Sequence, residues 1–125
     1  CDINTYDTLF WIDESMTLRI HSRPSRFPMA QHFDRSLKEQ QQEKDGGIVF
    51  ERTIDSMPAF AILHKPIRLP SHSTVDNAIE NLLHLYKQHR NLQYASLPQR
   101  LDTETSGLIL VATHPRFAAY FSKLL

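Results

Sequence analysis

The chain of 125 residues is long enough for one globular domain, and with 41% hydrophobic and 22% charged residues its composition excludes a disordered chain. Its 14 Lys and Arg residues balance 14 Asp and Glu residues, so no overall positive charge points to nucleic acid. The single cysteine, Cys1, excludes an internal disulfide and a cysteine-rich zinc site and fits a reducing compartment, and no apolar run approaches the roughly 18 residues of a membrane span.

The first third of the chain predicts little regular structure. Two short strands are expected at residues 8–12 and 17–20, followed by an extended segment with two prolines, "SRPSRFP". Residues 34–47, "DRSLKEQQQEKDGG", predict either a mobile loop or a short solvated helix that ends at Gly46. Because the chain begins with Cys rather than Met, we expect its natural N-terminus to be missing.

Two strands and a helix are predicted in the middle of the chain. "GIVFERT" (47–53) and "PAFAILHKP" (58–66) have the composition of strands, and Pro66 ends the second one, so His64 and Lys65 should lie at a strand end. After the loop "IRLPSHS", Ser73 or Thr74 is a suitable N-cap for a helix from Val75 to about Arg90. The expected apolar face of that helix consists of Val75, Ile79, Leu82, Leu83 and Tyr86.

The last third predicts an irregular segment, a buried strand and a helix. Residues 91–98 carry no periodic pattern, whereas the continuous apolar run "GLILVAT" (107–113) indicates a buried strand. Thr113 and Pro115 then start a helix that has no stop signal before Leu125, so we expect a packing partner downstream and a chain truncated at both ends. The apolar side of this helix consists of Phe117, Tyr120, Phe121, Leu124 and Leu125, and its spacing favours packing over base stacking for the three aromatic residues.

A charged cluster, Arg100, Asp102 and Glu104, directly precedes that last strand. A carboxylate before a strand has two readings. It can accept hydrogen bonds from backbone N–H groups and fix a turn, or it can be a catalytic group that a strand end holds rigidly while leaving it open to a ligand. Position alone favours the turn.

Two sequence elements resemble the RluA-type pseudouridine synthases. "QRLDTETSGLILVAT" is similar to the family signature H-R-L-D-x-x-T-S-G-L followed by an apolar strand. "HKPIRLPSHSTVDNAIENLL" is similar to the upstream family element K-P-x-G-x-P-x-H and its helix. The two elements occur in the order that the family has, with about thirty residues between them. The resemblance covers roughly residues 48–125, which predicts the N-terminal part of a catalytic domain there, whereas residues 1–47 stay an unassigned N-terminal segment and polar linker.

The resemblance implies roles for individual residues. Asp102 matches the catalytic aspartate and Arg100 the arginine before it, which would pair with the carboxylate, bind phosphate or fill space beside an extruded nucleotide. Lys65 and His72 match the upstream loop and either line the RNA cleft or are ordinary loop residues. The family's tyrosine and basic residue from later strands would lie beyond Leu125, so this piece alone should be inactive.

Two positions depart from the family pattern. Gln99 replaces the usual His and cannot titrate near neutral pH. Arg68 replaces the usual Gly, which would strain the chain if its backbone requires a positive φ, although an arginine there could contact phosphate.

The implied fold is α+β, a mixed and mainly antiparallel sheet with flanking helices and an RNA-binding cleft, truncated here. The implied function is an intracellular RNA pseudouridine synthase, cytoplasmic or organellar, that needs no cofactor, no metal and no membrane and acts on ribosomal or transfer RNA. The alternative is a homologue that has lost turnover and binds RNA as a folding or assembly factor, which the Gln99 departure supports. A protein interaction module without RNA requires both elements to be coincidental.

Overall fold

The computed structural model describes residues 26–39, 47–75 and 77–125, and it confirms the α+β class. Its strands form one antiparallel sheet in the order β1-β2-β3. The strands predicted at 8–12 and 17–20 lie outside the described residues, and the other three match the predicted ranges to within one residue. In chain order the elements are α1 (Pro28–Glu39), β1 (Gly47–Ile54), β2 (Met57–Lys65), α2 (Leu82–His89), β3 (Gly107–Ala112) and α3 (Pro115–Leu124).

A two-residue turn connects β1 to β2. Ile54 pairs with Met57, and the intervening Asp55 and Ser56 both have positive φ, 51° and 64°. Positive φ at both central residues is the type I′ geometry, whose twist matches the right-handed twist of the flanking strands. The turn therefore fixes the register of the hairpin.

The core lies between one face of the sheet and the helices α1 and α2. Alternate side chains of a strand point to opposite faces, so one face of β2 and β3 is buried while the other is partly exposed. Leu108, for example, is 63% exposed, so β3, predicted as a buried strand, is only partly buried on this face. The buried apolar side chains of the core cluster are Ala30, Phe33, Leu37, Ala61, Leu63, Leu69, Leu82, Leu85, Tyr86, Ile109 and Val111.

Helix α1 differs from the expected loop or solvated helix over residues 34–39, and the predicted end at Gly46 lies outside the described residues. It begins at Pro28, six residues before the predicted segment, because a proline at the first helical position has a φ suited to the helix. Phe33 and Leu37 are buried one turn apart, and the carboxylate of Glu80 accepts hydrogen bonds from the backbone N–H groups of Arg26 and Phe27. The helix is therefore part of the same core as the sheet.

Helix α2 is shorter than predicted, and it begins at Leu82 rather than at Val75. The Asn77 side chain bonds both the N–H and the C=O of Glu80, and Asn81 is the N-cap, accepting from the His84 N–H. Asparagine side chains that bond nearby backbone groups compete with the helix. As a result Val75 is 99% exposed instead of lying on a buried helical face.

The opposite face of the sheet carries an aromatic cluster with α3. The ring of Phe60 on β2 lies 6.1 Å from that of Phe117 and 5.4 Å from that of Phe121. This confirms packing for these two helical residues, whereas Tyr120 remains 56% exposed.

Candidate active-site loop

Two loops meet where β2 ends and β3 begins. Lys65, the last residue of β2, pairs with Gly107, the first residue of β3. The pairing brings residues 66–72, here called the upstream loop, against residues 100–106, here called the Asp102 loop. Residues about thirty positions apart in the sequence thus come into hydrogen-bond contact.

Hydrogen bonds from the upstream loop hold the backbone on both sides of Asp102. The Ser71 hydroxyl donates to the Leu101 carbonyl and accepts from the Leu101 N–H at 3.2 Å. The Arg68 N–H donates to the Thr103 carbonyl at 2.8 Å. The residues before and after Asp102 are therefore both fixed.

Asp102 itself opens a turn and leaves its side chain in solvent. Its carbonyl accepts from the Thr105 N–H at 2.9 Å, which closes a four-residue turn through the backbone, whereas the predicted turn role was one for the carboxylate. The carboxylate is exposed, and it forms no hydrogen bond or ion pair with any side chain that the structure describes. The turn therefore does not use the carboxylate, which is free to contact a ligand.

Lys65 is a buried link between the two loops. Its side chain is fully buried, and its ammonium donates to the carbonyls of Pro66, Leu69 and Thr103 at 2.9, 2.7 and 3.2 Å. Burial lowers the pKa of Lys65, and the nearby carboxylates of Glu104 and Asp102 partly offset that shift. Because all three N–H donors are used, this geometry does not support the predicted contact of Lys65 with RNA.

Arg100 and His72 contact each other at the surface. The Arg100 Nη1 lies 2.8 Å from the His72 Nε2. Since a guanidinium only donates, the imidazole nitrogen accepts, which requires a neutral ring with its proton on Nδ1. Arg100 therefore pairs with His72, and the suggested ion pair with Asp102 is not formed in the described part of the chain.

Two positions in or next to these loops have a backbone with positive φ, Arg68 and Gly107. Arg68 has φ of 63°, so the position where the resembling family has glycine does require a left-handed backbone. Gly107 has φ of 146°, and a Cβ there would lie 3.8 Å from the Leu101 side chain, so backbone strain rather than space restricts this residue. Gln99 is exposed at the entrance to the Asp102 loop.

Ser71 contacts the Asp102 loop, and no motif in the sequence predicts that contact. Its hydroxyl makes both hydrogen bonds to Leu101, but nothing in "PSHS" distinguishes it from Ser73 in the sequence. Only the fold shows which serine faces the Asp102 loop.

The described residues contain no cluster of three His, Cys, Asp or Glu side chains that could hold a metal ion. Within the same residues no helix is long and apolar enough to cross a membrane.

Comparison with known protein families gives one match. A family profile described as RNA pseudouridylate synthase matches residues 59–125, which is more than half of the chain and includes both loops. No curated protein and no solved structure matches. The matched region includes the exposed Asp102 between its two fixed neighbours. The chain therefore belongs to the RNA pseudouridylate synthase family.

Proposed function

We propose that this chain carries the catalytic aspartate, Asp102, of an RluA-type RNA pseudouridine synthase that converts specific uridines of ribosomal or transfer RNA. The observation that supports the proposal is an exposed carboxylate whose flanking residues, Leu101 and Thr103, are both hydrogen-bonded to another loop. A catalytic group must be held in its productive geometry while it stays accessible to the substrate. Asp102 meets both conditions.

The reaction needs a group of this kind and no cofactor. The bond from uracil N1 to the sugar C1′ breaks, the base turns, and C5 bonds to C1′. C5 loses its hydrogen as a proton and N1 gains one, so the conversion is an isomerisation without redox change. Carboxylates form and release covalent intermediates at glycosidic carbons, which makes Asp102 a suitable nucleophile toward the sugar or the base.

The surrounding residues divide between positioning and RNA binding. Lys65, buried beneath the Asp102 loop, is a positioning residue in this proposal because its ammonium fixes the Thr103 carbonyl. Arg100 and His72 are the RNA-binding residues, since both lie beside the loop and the guanidinium of Arg100 is exposed. A uridine in folded RNA must leave its stack to reach Asp102, and the guanidinium of Arg100, in contact with His72, would hold its backbone in that position.

An inactive RNA-binding homologue is the second candidate, supported by Gln99 in place of the family's usual histidine. In that function Asp102 would be retained without turnover, and the protein would act as an RNA-folding or assembly factor. RNA affinity without isomerisation distinguishes it from the enzyme.

Tritium release tests the proposal. The substrate is total RNA labelled with tritium at uridine C5, extracted from cells that lack the protein, because forming the new carbon–carbon bond must expel that hydrogen. The complete wild-type protein is compared with Asp102→Asn and with Glu104→Gln, a matched control two residues away that is also exposed. We expect release by the wild type and by Glu104→Gln, and none by Asp102→Asn.

Release by none of the three, with RNA still bound, would overturn the enzyme and favour the inactive homologue. Release by Asp102→Asn at the wild-type rate would show that another residue performs the chemistry. Circular dichroism and urea unfolding of each variant exclude a folding defect as the cause.

A further inference from the structure

We propose that Arg68 binds a backbone phosphate of the RNA next to the uridine that reaches Asp102, an inference that rests on the proposed function. Arginine is not the residue that the family signature has at this position, so the contact would be particular to this chain.

The position of Arg68 is the first argument. Its N–H donates to the carbonyl of Thr103, the residue that follows Asp102, so the two backbones are 2.8 Å apart at that bond. Arg68 is exposed, and its backbone is bonded to the residue next to the candidate catalytic Asp102. Its long side chain therefore begins close to the Asp102 loop. A nucleotide at Asp102 therefore lies within reach of this arginine.

The backbone conformation is the second argument. Arg68 has φ of 63°, a conformation that strains a residue with a Cβ and costs glycine almost nothing. The other non-glycine residues with positive φ in the described ranges are Asp55, Ser56 and Asn91, all with short polar side chains suited to turns. Arg68 alone places a long cationic side chain on such a backbone, and strain of this kind is concentrated at ligand-binding sites.

The charges around Asp102 are the third argument. The carboxylates of Asp102 and Glu104 repel a phosphate, so a nucleotide needs a cation there. The ammonium of Lys65 is buried on three carbonyls, which leaves Arg100, already assigned to RNA binding, and Arg68 as the exposed cations of the two loops. The guanidinium of Arg68 has no hydrogen bond or ion pair with any described residue, so its fork of donors is available for two phosphate oxygens.

Salt-dependent RNA binding tests this inference. The complete protein, Arg68→Ala, Arg68→Lys and the control Arg52→Ala are titrated by filter binding with the same tritiated total RNA between about 50 and 200 mM salt. Arg52 is also exposed, but it pairs with Phe60 near the other end of β2. Alanine, like arginine, has a Cβ and keeps the backbone strain of position 68. A change in RNA binding by Arg68→Ala therefore measures the loss of the guanidinium.

We expect Arg68→Ala to weaken binding about three- to tenfold and to lower the slope of log K against log salt by about 0.7–0.9, the value for one phosphate contact. Arg68→Lys should keep the wild-type slope, and Arg52→Ala should change neither quantity. If wild type releases tritium while Arg68→Ala has wild-type affinity and slope, this inference is wrong and the proposed function stands. If wild type neither releases tritium nor binds RNA, the proposed function fails and this inference fails with it.

Discussion

Replacement of Lys65 by methionine should loosen the Asp102 loop by removing the ammonium that links it to the upstream loop. Lys65→Met keeps an unbranched side chain one atom shorter than lysine but leaves the carbonyls of Pro66 and Leu69 without the donor that bonds them. The Thr103 carbonyl keeps the Arg68 N–H at 2.8 Å, so it is not left unpaired. The perturbation is therefore confined to two buried carbonyl groups.

The magnitude follows from those two groups. An unsatisfied buried acceptor costs about 1–3 kcal/mol, which gives roughly 2–6 kcal/mol for two. Methionine no longer buries an ammonium, and this offsets part of the loss. We therefore expect the free energy of unfolding to fall by about 2–4 kcal/mol.

Urea unfolding at neutral pH measures this change, and Lys123→Met, at an exposed position of α3, is the matched control. A loss below about 1 kcal/mol for Lys65→Met, or an equal loss in the control, would refute the role assigned to the three hydrogen bonds.

The stability difference between the wild type and Lys65→Met should depend on pH. Burial lowers the pKa of Lys65 below its usual value of 10.5, so between the two pKa values the unfolded chain binds the extra proton. Stability therefore rises with pH in that window for the wild type relative to Lys65→Met. A difference in unfolding free energy that stays flat up to pH 10.5 would contradict a buried, charged Lys65.

Three further predictions concern the loop and the core. Ser71→Ala removes both hydrogen bonds to Leu101, so we expect lower kcat with little change in RNA affinity; in a single-turnover assay, an unchanged rate would contradict the positioning role. Arg68→Gly relieves the positive φ and should be more stable than Arg68→Ala by up to about 1 kcal/mol in urea unfolding, and the reverse order would contradict the strained backbone. The hydroxyl of Tyr86 donates to the Glu51 carboxylate at 2.6 Å, and burial raises the pKa of Tyr86 above 10.0. The advantage of wild type over Tyr86→Phe, about 1–2 kcal/mol, should thus be complete below pH 10.0 and decline above it, and thermal unfolding that shows the advantage growing above pH 10.0 would contradict this sign.

The sequence predicts the elements whose signals are local. The hairpin of β1 and β2 is delimited by Gly47 and Pro66, and the apolar run of β3 begins directly after the turn at Asp102. In each of these cases the residue type itself restricts the backbone.

The features that the sequence did not predict depend on which side chains form hydrogen bonds and pack together in the fold. The periodic apolar residues from Val75 onward indicate a longer helix, but the side chain of Asn77 bonds the Glu80 backbone and delays it until Leu82. Helix α1 is stabilised by packing and by Glu80, a residue more than fifty positions away. The start of α2 thus depends on a local side-chain hydrogen bond, whereas α1 combines a proline at its first position with contacts from a distant residue.

The candidate site shows the same division. Asp102 was singled out by its motif, whereas the burial of Lys65 and the contacts of Ser71 and Arg100 arise only when two loops about thirty residues apart meet. A lysine at a strand end can face solvent or the interior, and the three carbonyls that Lys65 binds belong to both loops. The positions near Asp102 were therefore predictable, but their partners were not.

Direct detection of the product tests the central claim most directly. RNA with carbon-14 in its uridines is incubated with the complete wild-type protein, with Asp102→Asn and with Glu104→Gln, then digested to nucleosides and separated by chromatography. We predict that label moves from uridine to pseudouridine with the wild type and with Glu104→Gln, and that with Asp102→Asn it stays in uridine while RNA binding persists. Label in pseudouridine with a folded Asp102→Asn, or in none of the reactions, would contradict the account.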